Sequence, residues 1–362
     1  LPAGKSLSKI TAQGSEAILA QYYKPFRNRE TQYKSITKKY MLTKEQIASQ
    51  ISHCLAGTNF TNLGTRYEGK VRDNYTKDEK RILITTDRLS AFDKVIALVP
   101  FKGQALNALS KFWFERTKDI VGNHVVEYPD PNAVVGEECT PLAVEMVVRG
   151  YITGSTTTSA WYNYQKGVRN FCGNPLPEGM KKDQKLDHAI ITPTTKAAHG
   201  DHDESLAPEE LIKRGHITKD DWDKLAAISL KLFARGQEIA AKQGIILVDT
   251  KYEFGKNKKG EIVLIDEIHT PDSSRFWKSA TYQAKFDKGE DQDNINKEYL
   301  RLWLSEKGFI GEGAIPAIPE DVIVETARRY IEAYELITGQ TFEGTPGDPL
   351  PRIEKNLAKY MS

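Results

Sequence analysis

Cysteine is scarce. Cys54, Cys139 and Cys172 stand alone in 362 residues, with no CxxC and no His/Cys cluster. That spacing excludes a disulfide framework and a cysteine-rich zinc site, and it suits a reducing compartment. Long apolar runs are also missing, and no stretch approaches the ~18 residues of a membrane-spanning helix. Neither sign of charge dominates, with 51 Lys+Arg against 49 Asp+Glu and a net charge of +2. A dedicated nucleic-acid binder carries a basic excess, so neither nucleic acid nor membrane is expected as a partner. There is no GxSxG, no HExxH and no GxxxxGK[ST], which leaves out the common nucleophile elbow, the helical zinc site and the Walker loop. Repeats and low-complexity tracts are absent as well.

What is present is an ordinary globular composition, 39% hydrophobic and 28% charged, in a chain long enough for two lobes or domains. The charge is unevenly placed. Residues 1–50 hold nine Lys/Arg against three Glu, so the remainder is net acidic. This opening stretch is Tyr-rich (Tyr22, Tyr23, Tyr33, Tyr40) and starts at Leu1 rather than Met, which suggests a missing or processed start. Lys outnumbers Arg and glutamates interrupt, unlike a transit peptide. Residues 1–55 therefore read as a basic, solvated N-terminal extension, and the expected location is cytoplasmic.

From about Asn62 the texture changes. Residues 65–71 and 81–86 read as strands around a polar turn at 73–80, and 103–117 as a helix with Leu106, Leu109, Phe112 and Trp113 on one face. Strands are expected at 125–128 and 142–148, and a helix near 157–164. A long Pro/Gly-rich functional loop is expected over 173–200. Helices follow at 207–214 and 219–243, then strands at 245–249, 252–254 and 262–265 around a turn at 256–260. Further helices are expected at 296–306 and 319–338. This order predicts an α+β fold rather than a regular alternating barrel.

The densest chemistry lies in Leu247-Val248-Asp249-Thr250-Lys251-Tyr252-Glu253-Phe254-Gly255 and Leu264-Ile265-Asp266-Glu267. On a strand Asp249, Lys251 and Glu253 share a face, and a hairpin could bring Glu253 and Asp266 to one end. Paired hard oxygens there suit Mg²⁺ carrying ATP phosphates. Gly69-Lys70-Val71-Arg72 could lay backbone N–H groups and cations over phosphates. Arg149 reaches a turn with Gly150, Gly154 and Ser155, a reasonable phosphate or carboxylate clamp. The segment 87–93, with Ser90 and Asp93, follows a strand end, a common place for ligand contacts. His199, Asp201, His202 and Asp203, with Lys196 before them, lack metal-site spacing and read as substrate contacts. Arg275 again suits an anionic ligand. Together these are several cations, two acids at strand ends and a Gly-Lys turn, an inventory that fits phosphate chemistry. A kinase-like phosphotransferase with another acceptor, or a non-catalytic nucleotide-binding module, would use many of the same parts.

Val144-Glu145-x-Val147-Val148-Arg149-x-x-x-Thr153-Gly154-Ser155 and Leu247-Val248-Asp249-x-Lys251-x-Glu253-Phe254-Gly255 resemble the two signatures of the SAICAR synthetase family. Gly69–Asp73, Asp87–Asp93, Asp266-Glu267 and Pro271-Asp272-x-Ser274-Arg275-x-Trp277 match as well, so the resemblance spans about residues 63–277. It implies a two-lobed α+β fold related to ATP-grasp and kinase-like architectures, with an ATP cleft between the lobes. The expected division is 1–55 extension, 56–145 mainly β nucleotide lobe, and 146–362 substrate and metal lobe. The implied reaction is the ATP-dependent joining of 5-aminoimidazole-4-carboxyribonucleotide (CAIR) to L-aspartate in purine biosynthesis. The resemblance implies Gly69, Lys70, Val71, Arg72 and Glu145 for ATP, and Glu253 and Asp266 for Mg²⁺. It implies Lys251, Asp249, Lys196 and Asp203 for catalysis, and Arg149, Ser155, Arg275, Ser90 and Asp93 for substrate.

Overall fold

Two tight turns organise the first sheet of the computed structural model. The structure describes residues 42–92, 94–196, 203–295 and 298–362. The Tyr-rich stretch 1–41, Asp93, His199, Asp201 and His202 therefore lie outside the described residues, as does the start of the helix expected from 296. The described chain forms one unit from Leu42 to Ser362. It opens with helix α1 (Lys44–Ser49), where Thr43 and Gln46 cap each other reciprocally. Residues 42–55, expected within the extension, are tied into this body. The Gln50 side chain donates to the Gly347 carbonyl and accepts from its N–H, both at 2.8 Å, and Ile47 and Leu55 are buried.

Strands β1 (Thr65–Glu68) and β2 (Arg72–Lys77) pair across the Gly69–Val71 turn, which the Gly69 N–H closes onto the Arg72 carbonyl at 2.8 Å. Strand β3 (Lys80–Thr85) follows a two-residue turn in which Asp78 and Glu79 both have positive φ, 49° and 63°. That turn type matches the twist of the strands it joins. The polar turn expected over 73–80 is thus mostly strand. Its first polar residue faces protein partners instead of water: the Asp73 carboxylate is fully buried and accepts from the Thr58 N–H at 2.5 Å and from Arg88 at 2.8 Å. A short pair, β4 (Arg88–Ala91) and β5 (Lys94–Leu98), precedes helix α2 (Lys102–Thr117). Strands β6 (Val125–Asp130) and β7 (Ala133–Glu137) complete a five-stranded antiparallel sheet of order β1-β2-β3-β7-β6.

The second sheet starts at β8 (Thr140–Ile152). The change of sheet therefore falls before residue 140, and a boundary after residue 145 would cut this strand. Helix α3 (Ala160–Gln165) and the short strands β9 (Asn170–Phe171) and β10 (Asn174–Pro175) follow. The expected loop 173–200 contains β11 (Gln184–Ile191), which pairs with β8, and β12 (Thr194–Thr195) beside it. Helix α4 (Pro208–Lys213) leads to α5 (Lys219–Lys242), capped by the Thr218 side chain. The two strands expected at 245–254 are one continuous strand, β13 (Ile245–Lys256). It pairs with β8, with β14 (Ile262–Ile265) and with β15 (Ser274–Lys278), every pair antiparallel.

The main core lies between this sheet and the helices, where Val144, Met146, Leu247 and Phe254 meet Leu225, Leu232 and Phe233 of α5. Each such side chain contributes about 2–3 kcal/mol on burial. After β15 come α6 (Ser279–Lys288), α7 (Glu298–Glu306), α8 (Glu320–Thr338) and α9 (Pro349–Leu357). Ala333 and Ile337 of α8 join the main core. Ile353 and Leu357 of α9 close the back of the first sheet against Tyr75, Ile82 and Val135.

Candidate active site

Strand register places the charged residues. Along the β8–β13 ladder Asp249 stands opposite Arg149, Lys251 opposite Val147, and Glu253 opposite Glu145. On the other side of β13, Asp249 pairs with Arg275 of β15. Alternation along β13 gives Asp249, Lys251 and Glu253 one face. Their partners then follow from proximity.

Asp249 Oδ2 accepts from Arg275 at 2.8 Å and from Arg149 at 3.3 Å. Arg149 is buried, and it also donates to the Thr192 hydroxyl at 2.7 Å and to the Thr158 carbonyl at 2.8 Å. Burial pulls its pKa down, with Asp249 opposing. The Lys251 ammonium donates to Glu145 at 2.5 Å and to Glu253 at 2.8 Å. Burial alone would lower the Lys251 pKa, but the two carboxylates reverse it and hold the group protonated. Burial works to raise the Glu253 pKa, yet Lys251 and Lys196 overcome it and keep the carboxylate ionised. Glu145 is pushed up, by burial first.

A cavity of about 430 Å³ is lined by Glu145, Arg149, Asp203, Asp249, Lys251 and Arg275, with Thr156, Thr158, Ser159, Asp272 and Ser273. Its wall thus carries alternating cations and anions, a surface for a ligand with both anionic and N–H groups. Gly154 takes φ +93° here, and a Cβ would stand 2.4 Å from the Ser159 hydroxyl and 3.1 Å from the Arg275 guanidinium. A side chain at 154 would intrude on this wall. A second cavity, about 170 Å³, is lined by Tyr67, Asn74, Arg81, His124, Lys196, Glu253 and Asp266 among others.

Asp266 follows β14 with φ 65°, a left-handed conformation that Asp tolerates better than most residues. Burial raises its pKa, Arg72 opposes, and the Glu253 charge raises it further. Arg72 donates to Asp266 at 3.0 Å and to Glu267. Two mutually repelling carboxylates on one cavity form a donor set that suits Mg²⁺, which takes one or two protein carboxylates and completes its shell with water and phosphate oxygens. Among the described residues no group of three or more His, Cys, Asp or Glu forms a metal-holding cluster.

The structure therefore gathers Asp249, Lys251, Arg149, Arg275, Glu145 and Asp203 on one cavity, and Glu253, Asp266 and Lys196 on the other. Glu145, expected toward ATP, lies on the larger cavity as the partner of Lys251. Gly69 and Lys70 form the β1–β2 turn, and the Val71 carbonyl accepts from the Thr86 N–H at 3.0 Å. Ser155 is exposed and Ser90 half-buried on β4, and neither is among the residues lining the two cavities. Arg88 escaped sequence reasoning. It is buried and donates to the Gly69, Lys70 and Ala56 carbonyls at 2.9, 3.2 and 2.7 Å and to Asp73, so it fixes the Gly-Lys turn from beneath. Its place in a polar run after an apolar strand was the available signal.

The family profile described as SAICAR synthetase matches residues 65–314. The chain belongs to the SAICAR synthetase family. It is 48% identical over 311 residues to the phosphoribosylaminoimidazole-succinocarboxamide synthase of Legionella pneumophila (strain Paris), covering 85% of this chain and 99% of that protein. It is 47% identical over 323 residues to the chloroplastic enzyme of that name from Arabidopsis thaliana, covering 87% and 78%. The solved SAICAR synthase from Saccharomyces cerevisiae complexed with SAICAR superposes with a TM-score of 0.71 at 33% identity, over 80% of this chain and all of that one. A SAICAR synthetase solved in complex with ADP gives 0.59 at 28% identity, over 77% of this chain and all of that one. The SAICAR synthetase reaction is the SAICAR-forming ligation of purine biosynthesis, and the mixed α+β fold is that of the solved family members. Among the described residues no helix is long and apolar enough to cross a membrane.

Proposed function

We propose that the two cavities are the two halves of one reaction centre, in which ATP activates the carboxylate of CAIR and L-aspartate captures it. The observation that carries this reading is the Lys251 bridge. Its ammonium binds Glu145 on the larger cavity and Glu253 on the smaller one, so a single cation joins the two sites. In this reading a first lobe, built on the five-stranded sheet, and a second, built on the sheet that begins at β8, hold ATP between them. Gly69, Lys70, Val71 and Arg72 cover its phosphates. Arg149 and Arg275 hold CAIR and take its phosphate.

A carboxylate is a poor electrophile because it is already an anion. In the first step its oxygen attacks the γ-phosphorus of ATP, the bond to the bridging oxygen breaks, and ADP leaves with the electron pair. In the second step the free amine of L-aspartate attacks the acyl carbon, the C–O bond to phosphate breaks, and the amine gives up a proton as the amide forms. Lys251 neutralises the reacting carboxylate and the transferring phosphoryl group. Lys196 sits at the phosphoryl end, and Asp203 and Asp249 flank the amine and the arginines. Glu253 and Asp266 would hold Mg²⁺, which when bound supplies positive charge to the phosphate oxygens. We place the reaction in the cytoplasm on the three free thiols, which fractionation of the source cells would check against an organelle.

A structure with ADP, Mg²⁺ and CAIR tests the site. The expected result is the diphosphate between the Gly69–Arg72 turn and Glu253/Asp266, with the CAIR phosphate on Arg149 and Arg275. Nucleotide bound away from that turn would overturn the assignment.

A further inference from the structure

Lys102 is the first residue of α2 and is fully buried. A cation there is doubly disfavoured, since it loses water and sits at the positive end of a helix. Its ammonium donates to Asp272 Oδ2 at 2.8 Å and lies 5.3 Å from the Tyr330 ring centroid. The Tyr330 hydroxyl, from the middle of α8, donates to the other oxygen, Asp272 Oδ1, at 2.6 Å. Asp272 thus has one oxygen held from each of two helices. It lines the larger cavity, whereas Lys102 and Tyr330 are not among its lining residues. Asp87, which accepts from the Gly103 N–H at 2.9 Å, adds negative charge near Lys102, and Glu267 and Arg72 complete the charged surroundings of this cluster.

We propose that Lys102 and Tyr330 are positioning residues that fix the Asp272 carboxylate, ionised and immobile, as the acceptor for an amine N–H of a substrate in the larger cavity. This rests on the reading given under Proposed function, in which both CAIR and L-aspartate bring an amine. Asp249 and Glu145 of that wall are held by cations of the wall itself, Asp249 by Arg149 and Arg275, and Glu145 by Lys251. Asp272, by contrast, is paired with a cation that does not line the cavity, which leaves Lys102 out of the substrate's way. A carboxylate held at both oxygens needs no reorganisation when the N–H arrives.

Steady-state kinetics of Tyr330→Phe, Lys102→Met and Asp272→Asn, with CAIR, L-aspartate and ATP varied in turn, test this. Tyr330→Phe removes one hydroxyl and keeps the ring, so its thermal midpoint is expected to stay near that of the parent. The expected result is a rise of about tenfold in the KM of one amine-bearing substrate for Tyr330→Phe, a larger rise for Asp272→Asn, and an unchanged ATP KM. A rise confined to CAIR identifies its ring amine, and one confined to L-aspartate identifies the nucleophile. Unchanged KM values in Tyr330→Phe, or an equal rise for all three substrates, would overturn the positioning role. If Lys102→Met does not fold, Tyr330→Phe decides. A parent chain that makes no SAICAR removes the underlying reading as well; a parent that does, beside an unaltered Tyr330→Phe, removes the clamp alone.

Discussion

Glu253 and Glu145 stand directly opposite one another in the β8–β13 ladder. Like charges in that relationship repel, and the pair persists because the Lys251 ammonium reaches both carboxylates. The sheet thus stores a charge arrangement that local packing would not choose, at the point where the two cavities meet.

Lys251→Met should therefore lose more than catalysis. Without the ammonium, the buried Glu145 and the half-buried Glu253 face each other, with Lys196 paired to Glu253. We expect turnover to vanish and unfolding stability at pH 7 to drop by about 2 kcal/mol. Lowering the pH should recover part of that loss as Glu145 protonates. Denaturant melts at two pH values, compared with the parent, check this.

Arg88→Ala removes four hydrogen bonds and takes the nearer cation from the fully buried Asp73 carboxylate, leaving it the Thr58 donors and Arg66 at 3.5 Å. Breaking a buried pair from one side typically costs about 3–5 kcal/mol. The Gly69–Val71 turn also loses the cation that holds its carbonyls. The expectation is a strongly destabilised protein, with ATP KM raised more than CAIR KM in whatever fraction folds. A stable variant with unchanged ATP KM would contradict the supporting role of Arg88.

Acid sensitivity follows from two core histidines. Burial pushes the His124 pKa down to about 4, with Arg72 and Arg81 adding to it, and burial pushes His269 down to about 3. An unfolded histidine binds a proton near pH 6.5, so between 6.5 and 4 the unfolded chain holds protons that the folded one does not. Stability is fully present above 6.5 and falls as pH drops. From pH 7 to 5 each histidine costs about 2 kcal/mol. Asp87, raised to about 6 by burial, works the other way, so the test is a difference: His124→Phe should flatten the pH dependence by about 2 kcal/mol.

Glu253→Gln and Asp266→Asn should each cut turnover on the order of a hundredfold or more. Asn tolerates the left-handed backbone of position 266, so Asp266→Asn should keep its fold. Both should raise the Mg²⁺ concentration needed for half-maximal rate. Unchanged metal dependence in both variants would remove them as ligands.

The hairpin that carries Glu253 and Asp266 was legible in the sequence. Apolar runs at 245–249, 252–254 and 262–265 around a Lys/Asn/Gly turn point to a hairpin with a charged end, and the ladder then sets its register, Glu253 opposite Ile265. Strand β2 was not legible, because Asp73 and Asn74 look like turn residues until Thr58, Arg88 and the neighbouring strands supply partners far away in sequence. Strand β11 was hidden in the same way: its Lys, Asp and His residues mask a ladder set by β8. Among site residues, period 2 foretold only that Asp249, Lys251 and Glu253 share a face; the Glu145 and Arg149 partners come from the β8–β13 register. The roles of Arg88 and Lys102 depend on pairings across 15 and 170 positions, which no local pattern encodes. Asp93 and the histidines of the 199–202 segment lie where the structure gives no description, and Ser90 and Ser155 are away from the cavity linings.

The most direct test of the central claim is one assay with ATP, Mg²⁺, CAIR and L-aspartate, in which ADP and the succinocarboxamide product are measured together and each substrate is omitted in turn. The account predicts SAICAR and ADP in equal amounts, with no SAICAR when any one of ATP, CAIR or L-aspartate is left out. ADP released without L-aspartate, and no SAICAR with the full mixture, would mean that the centre transfers phosphoryl groups to some other acceptor.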